Sequence, residues 1–578
     1  MEERVYPEST GHVILLGVGT VGREVMSRLH EAGARVIAID RQPSGEARAF
    51  ADGLGIAVME LDILRPGAIN QVDVPGARAF IACTSDDRVN LSAALAVNDL
   101  RPTLRTVVRL NNEQLGEQLE ARFPEWTVLS LPGLSSPAFV AAALAAGTLR
   151  AWRVADDVVA VLEIPIEEPS LVRSWVDVAP LYIRRESGAV EHWPPPQTPM
   201  RSGDRLGAVA SARTLTALGS TDFEYGGRAA GYPHLARTVR AVSTFFADVD
   251  SRLAIVIGLA IGLAALATIV YMEAKGLHFV AALYFVITTM VTVGYGDINL
   301  AEDSDEIKLF GSALMIVSLL IFSVITAFVT NWVLSTRLSR LFGTTRTAAV
   351  DHSIVCGLGN VGTRVLAELR RTMRGATAID PAGTGAAVSE ALRSGATVVP
   401  GDARQQSAFQ RANALEARSV VVATGDDMLN LEIALNAREA SPRSRIVLRL
   451  FDEEFASRVR STFDFDSVLN PAAIAAPAFA DAAMGRSAVD HFTVDGQSYV
   501  YARLRVELGS LYVGATVSDF LARGFISPFA LVPSVGEARF RPIPRTALRA
   551  GDTLHVICAP EAFGRLTTDD ASASLSAT

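Results

Sequence analysis

Five consecutive residues, Thr292-Val293-Gly294-Tyr295-Gly296, offer little side-chain chemistry and an unusual backbone chemistry. A cation that enters a narrow pore sheds its water, and other oxygens must replace that shell. The carbonyls of Thr292, Val293, Gly294 and Tyr295, with the Thr292 hydroxyl, supply them if four copies of the loop surround one axis. Successive carbonyls point the same way only when the backbone alternates between right- and left-handed regions, which Gly294 and Gly296 permit at little steric cost. Asp297, with Tyr284 and Phe285 upstream, is expected to brace the loop from behind; the two aromatics equally suit lipid-facing or core positions.

A second chemistry is phosphate binding. His12 to Leu16 reads as a strand, Gly17-Val18-Gly19-Thr20-Val21-Gly22 as a glycine turn, the run through Leu29 as a helix, and Arg35 to Ile39 as a strand ending on Asp40. The glycines give a tight turn and close phosphate approach, the helix start at Thr20 and Val21 attracts negative charge, and the acid takes ribose hydroxyls. An Asp there favours NAD(H) or an adenine nucleotide over NADP, whose 2′-phosphate it would repel. The pattern returns at Gly357, Gly359, Asn360, Val361 and Gly362, with Asp380 beyond. Gly17 and Gly357 lie 340 positions apart, and the same offset links Asp40 to Asp380, Asp62 to Asp402, Asn90 to Asn430, Arg109 to Arg449 and Pro137-Ala138-Phe139 to Pro477-Ala478-Phe479. This is a duplicated domain. Arg23, Arg364, Arg109 and Arg449 are within reach of phosphates, although a structural role explains them as well. For either copy the competing reading is a glycine turn kept only as a relic of the fold.

These residues need elements to position them. Leu253 to Met272 is 20 residues without a charge, about 30 Å as a helix and enough to cross a bilayer. Leu309 to Thr336 is a second such run of 28 residues, about 42 Å, so it tilts or continues into the cytoplasm. Leu277 to Val291 is apolar but short, which suits a re-entrant helix leading into the 292–296 loop. Ser318 or Ser323 is expected to loosen the second span, whose stretch from Leu314 to Val333 contains no glycine. Arginines flank the two spans, whereas the segment between them is acidic, so both termini are expected in the cytoplasm. The acids after Gly296 either concentrate cations at the outer mouth or belong to an ordinary solvated loop.

The expected fold is mixed: an α-helical pore module with two transmembrane helices, plus two Rossmann-like doubly wound α/β domains, each with a small α+β lobe. The bounds are 11–150 and 151–217 for the first domain and lobe, 218–250 for a linker and interfacial helix, and 251–340 for the pore module. The second domain and lobe follow at 350–490 and 491–566, with a disordered tail at 567–578. Residues 211–233 read as linker from their Gly and Ser, and His234 to Val249 as an amphipathic helix at the inner membrane surface. Net charge is −9 with no long basic run, which argues against a nucleic-acid partner. The three cysteines, Cys83, Cys356 and Cys558, lie far apart in apolar runs and read as core residues of a reducing compartment.

Thr-Val-Gly-Tyr-Gly is also the sequence of the potassium-channel selectivity filter. The repeated domain resembles the RCK domain (regulator of potassium conductance, or TrkA-N with its TrkA-C lobe). The resemblance rests on the glycine turns, Asp40 and Asp380, the turns Thr84-Ser85-Asp86-Asp87 and Thr424-Gly425-Asp426-Asp427, and Asn90 and Asn430. With the two-helix pore, nearly the whole chain is similar to a prokaryotic RCK-gated potassium channel. The resemblance implies a homotetramer in the plasma (inner) membrane, in contact with lipid, with potassium as permeant ion and a nucleotide as regulatory ligand. Relatives with two such domains usually place both after the pore; here one precedes it, so eight domains from four chains are expected in the ring, with each chain's halves paired. No catalytic residue is assigned. The alternatives are a nonselective cation channel, a regulatory subunit of a potassium transporter and, from the two nucleotide folds alone, an oxidoreductase.

Overall fold

A strand covered on both faces reads as a continuous apolar run, and His12–Leu16 (β1) is buried at every position. The computed structural model describes residues 11–224, 251–342 and 346–566, apart from 66, 176, 373–374 and 486–487. The expected interfacial helix His234 to Val249 and the tail from Thr567 lie outside the described residues. The chain forms two units: the segment Gly227–Phe342, and everything before it together with everything after it.

In the larger unit β1 leads to α1 (Thr20–Glu31), β2 (Val36–Asp40), α2 (Gly45–Gly53), β3 (Ala57–Glu60), β4 (Ala77–Ala82), α3 (Asp87–Leu100), β5 (Arg105–Arg109), α4 (Glu113–Arg122), β6 (Trp126–Leu129) and α5 (Leu131–Leu144). The strands pair in parallel in the order β3-β2-β1-β4-β5-β6, the doubly wound arrangement. The first lobe follows with β7 (Thr148–Val154), β8 (Asp157–Pro165), β9 (Ser170–Leu171), β10 (Val178–Arg184), β11 (Val190–His192), β12 (Pro199–Met200) and β13 (Arg205–Ser211). Its antiparallel sheet runs β11-β10-β13-β8-β7. Where a linker was expected from residue 211, Ala212–Glu224 is a helix, α6. Leu215 on it is fully buried in the lobe's core, which outweighs the helix-weakening Gly219.

The smaller unit holds α7 (Ser251–Lys275), α8 (Phe279–Met290) and α9 (Asp305–Phe342). Two stretches are long and apolar enough to cross a membrane, Val256–Lys275 and Asp305–Ala327. Leu259, Ile261, Ile269, Ile316 and Leu320 stand exposed on them, a surface suited to lipid or to other copies. The three helices share a core of Ala267, Tyr271, Ala282, Phe285, Val286 and Leu314. Ser318 and Ser323 bond back to the carbonyls of Met315 and Leu319, and α9 remains one continuous helix.

The second half repeats the first: β14 (His352–Cys356), α10 (Asn360–Arg371), β15 (Ala376–Asp380), α11 (Ala386–Arg393), β16 (Thr397–Pro400), α12 (Gln406–Arg411), β17 (Ala417–Val422), α13 (Asp427–Ala440), β18 (Arg445–Arg449), α14 (Glu453–Thr462), β19 (Ser467–Leu469) and α15 (Pro471–Met484). The sheet order is β16-β15-β14-β17-β18-β19, again parallel. The second lobe comprises β20 (Ala488–Val494), β21 (Gln497–Arg505), α16 (Val517–Ala522), β22 (Ile526–Val532), β23 (Arg539–Phe540) and β24 (Thr553–Cys558), ordered β20-β21-β24-β22-β23.

The halves exchange their last Rossmann helices. α5 is apolar all round and buried along nearly its whole length, so one sheet cannot cover it. Its residues Ala138 to Leu144 share a core with Val355, Val361, Val365 and Val421 of the second half. In return Ala472, Ala475, Ala476, Phe479 and Ala483 of α15 pack with Val13, Leu15, Val21, Val25 and Leu29 of the first half. The small lobes also meet face to face in one aromatic core.

Candidate functional site

The two glycine turns have nearly the same geometry. Gly17 and Gly357 leave their strands at φ 97° and 92°, a region that costs residues with a Cβ about 1–2 kcal/mol. A Cβ on Gly22 would lie 1.9 Å from the Gly17 carbonyl oxygen, and one on Gly362 2.0 Å from that of Gly357. Those positions admit only glycine. Around Gly19 and Gly359, by contrast, an added Cβ would meet nothing within 4 Å, so open space lies before the helix starts. α1 and α10 have no side-chain cap and no acid in their first turns. The amides at Thr20-Val21 and Asn360-Val361 therefore keep their attraction for an anion.

Each turn is tied to the acid that ends the next strand. Asp40 accepts the Val18 amide at 2.9 Å on one oxygen and the Gln42 amide at 3.0 Å on the other. Asp380 accepts the amides of Leu358 at 2.8 Å and Ala382 at 2.9 Å. Each carboxylate thus ties the glycine turn to its strand and keeps a lone pair on each oxygen for a hydroxyl.

The remaining residues of the family pattern do structural work. Asn90 is fully buried; its amide oxygen accepts from the Thr84 amide and hydroxyl, and its nitrogen donates to the carbonyls of Thr84 and Arg109. Asn430 repeats these bonds around Thr424 and Arg449. Asp86 and Asp426 cap α3 and α13, while Asp87 and Asp427 hold the amides of Asn111 and Phe451. Each clamp joins the ends of two adjacent strands beside the glycine turn.

The four arginines divide. Arg23 pairs with Glu46, and Arg364 reaches across the halves to Glu113 at 2.6 Å and turns its Nε to Glu368 at 3.3 Å, so neither is free for a phosphate. Arg109 and Arg449 end β5 and β18 and donate only to carbonyls, those of Cys83 and Ala423. Among the described residues neither has a carboxylate within ion-pair distance. Burial holds both guanidinium groups below their usual pKa, Arg449 at about 10, and its guanidinium stacks 4.1 Å from the Phe451 ring. Burial likewise pushes the Cys83 thiol up to about 12 and the Cys558 thiol to about 12, as inert core residues.

The sequence reading missed a network between the halves. Glu368 on α10 is buried, accepts the Ser136 hydroxyl of α5 at 2.8 Å and pairs with Arg153 of β7. Burial and the neighbouring Arg364 lower the Arg153 pKa to about 10. The available signal was the composition of α5, which is apolar on every side and therefore needs two partners.

In the smaller unit the loop after α8 alternates as expected. Thr292, Gly294 and Gly296 have φ of 62°, 51° and 80°, with Val293 and Tyr295 outside the positive-φ set. The amides of Val293 and Gly294 both donate to the Thr288 carbonyl, at 2.9 and 3.2 Å, and that of Thr292 to Thr289. Among the described residues no hydrogen bond ends on the carbonyls of Thr292 to Tyr295. The donors are anchored and the acceptors are left over, the polarity a cation requires. Tyr284 stacks 6.5 Å from Tyr295 and lies close to Asp297. Phe285 packs inward, edge-on against Tyr271 at 4.9 Å, so it is a core residue of the unit. Of the outer acids, Asp303 is tied to Lys275, while Asp305 and Glu306 occupy the first turn of α9, where the helix dipole favours them.

The TrkA-N domain family matches residues 13–123 and 353–471, and an ion-channel domain family matches residues 258–335. An uncharacterized protein of Methanothermus fervidus is 29% identical over 192 residues, 32% of this chain and 29% of that one. The voltage-gated potassium channel Kch of Escherichia coli is 26% identical over 194 residues, 33% of this chain and 46% of Kch. The chain thus spans less than half the length of these curated relatives. Among solved structures, the GsuK channel aligns at 15% identity and a TM-score of 0.48, over 98% of this chain and 80% of that one. Two TrkA-N domains flanking one ion-channel domain make this chain a membrane protein of the RCK-channel architecture.

Proposed function

We propose that four copies of this chain form a potassium-selective channel of a prokaryotic plasma (inner) membrane, opened or closed by nucleotides bound to its cytoplasmic halves. The observation that carries the reading is the alternating backbone at residues 292–296, with unpaired carbonyls at the end of a short helix between two spans. Four such loops around an axis would coordinate a dehydrated potassium ion through Thr292, Val293, Gly294 and Tyr295, with Gly296 closing the turn and Tyr284 and Asp297 bracing it. The similarity to a channel named for potassium supports the choice of ion. Both termini lie in the cytoplasm in this reading, because two spans return the chain to the side it left.

The regulatory ligand is NAD(H) or an adenine nucleotide. Its phosphates would meet the amides at Thr20-Val21 and Asn360-Val361, its ribose hydroxyls Asp40 and Asp380, and Arg109 and Arg449 stand unpaired nearby. Shifting a pore from 1:99 to 99:1 takes about 5.5 kcal/mol of differential binding. Over eight sites that is about 0.7 kcal/mol each, below the roughly 1–3 kcal/mol of a typical allosteric coupling. Exposed apolar residues on equivalent helices, Leu95 and Leu100 on α3 and Met428 and Leu435 on α13, offer surfaces for assembly into a ring.

Reversal potentials of the reconstituted protein in mixed potassium and sodium test selectivity, and open probability with and without NAD(H), ATP and ADP tests gating. A potassium-like reversal potential that responds to one nucleotide is expected. Equal permeability to both ions would favour a nonselective pore, and an unchanged open probability would remove the gating role.

A further inference from the structure

The small lobes share a topology but not their side chains, and the differences fit together. β7 and β20, like β8 and β21, begin and end 340 positions apart, so residues of the two lobes can be equated one by one. Arg150 is the equivalent of Asp490, and the two face each other with Arg150 Nε 3.8 Å from Asp490 Oδ2. Trp152 is the equivalent of Phe492, and their rings lie 6.1 Å apart. Equivalent residues that touch mark a local twofold axis. In a pair of two first halves, or of two second halves, each would meet its own copy.

The consequences of such a like pair follow from the residues. Two first halves would bring Arg150 against Arg150. Two second halves would bring Asp490, partly buried and bonded to the Trp152 indole at 3.0 Å, against another Asp490. Volume is exchanged in the same way. Val159 and Val161 of β8 stand where Tyr499 and Tyr501 stand in β21, and all four are buried in the shared core. Tyr182 of β10 lies over Gly207, where a Cβ would come within 2.2 Å of the ring. At the matching bulge of β22 the residue is Ala530, and the freed space holds His555, bonded to Tyr501 at 2.7 Å. Further polar bonds cross between unlike groups: Arg184 to Asp495 at 3.0 Å and His192 to Tyr499 at 2.7 Å.

We infer that the lobe interface is a specificity surface: each first half accepts only a second half, and the chain's own second half is the partner it is built for. Charge and volume are each complementary in the unlike pair and in conflict in either like pair, the two ways in which an interface rejects a wrong partner. Every paired unit therefore presents one site of each kind, and the Asp40 and Asp380 sites are never neighbours of their own copies within a pair. This holds whatever ion the pore passes.

The test uses the full-length protein. R184C and D495C, introduced together and bridged by a short bis-maleimide, are expected to give one fast-migrating monomer band on denaturing gels, because the link closes within a chain. Adding R150D or D490R should diminish that band, and the R150D/D490R pair should return it. A ladder of linked chains from R184C/D495C, or a band that R150D/D490R leaves as weak as the single reversals do, would overturn the inference. Retained melting of the doubly reversed protein shows that a weak band reports pairing and not unfolding.

Discussion

Replacing Asp40 and Asp380 by asparagine puts the nucleotide reading at risk most directly. Each carboxylate accepts two backbone amides from opposite sides, one on each oxygen. An asparagine must turn its NH2 toward one of those N–H donors, so one backbone amide loses its partner. A ribose hydroxyl also loses a charged acceptor. A hydrogen bond to a charged group contributes about 1.5–3 kcal/mol, which corresponds to a roughly 10- to 150-fold weaker Kd. Titration calorimetry of the detergent-solubilised protein with NAD and with ADP should therefore show D40N weakening one class of site by that factor and D380N the other. The double variant should show both classes weakened together, and a melting curve run beside it separates weakened binding from a lost fold. Wild-type affinity for both nucleotides in the double variant would refute the assignment of these turns as the binding sites.

Three further outcomes are expected. Burial, and after it Glu453, raises the Glu24 pKa, against the opposing pull of Arg28 and Arg23 and with Glu31 adding to the rise. A folded pKa above the unfolded value of about 4.3 means that ionised Glu24 costs stability, and that the cost grows as pH rises through that value. E24Q should therefore melt above the wild type at neutral pH, with the gap closing toward pH ~4; a gap independent of pH would exclude this cause. Phe479 is fully buried beneath α1, and F479A should cost about 3–5 kcal/mol in chemical denaturation. It should also weaken nucleotide binding at the Asp40 site more than at the Asp380 site, and equal losses would contradict the exchange of helices. Y284F removes the phenol beside Asp297, and single-channel records should show shortened bursts; bursts of wild-type length would remove the bracing role.

The parts of the molecule written in local pattern were legible from the chain. The strand–glycine–helix–acid order at His12 to Asp40 and again from His352 placed the turns. The alternation at residues 292–296 followed from two glycines beside a threonine whose positive φ no propensity would have suggested. Pairing of the two halves was anticipated from the duplication, whereas the exchange of α5 and α15 was not. Apolar periodicity reports that a face is covered and not which half of the chain covers it. Arg364 was a candidate for phosphate because it follows the glycine turn; it pairs instead with Glu368 one turn along its own helix and with Glu113, which only the packing of the two halves brings near. Gly219 and Ser220 suggested a linker where α6 forms, because a single buried leucine carries more energy than the local preference of either residue.

The borrowed helix also sets a timetable for synthesis. The first sheet is complete in sequence by Leu129, yet the helix that walls Val13, Leu15, Val21 and Val25 is not translated until Met484. Between them the ribosome must deliver both spans of the pore. At about 5–20 residues per second the nascent first half stands with one side open for roughly 20–70 s. During that wait the bare valines invite capture by other chains, so crowded expression should trap this protein as aggregates unless a chaperone or the lipid surface shelters it.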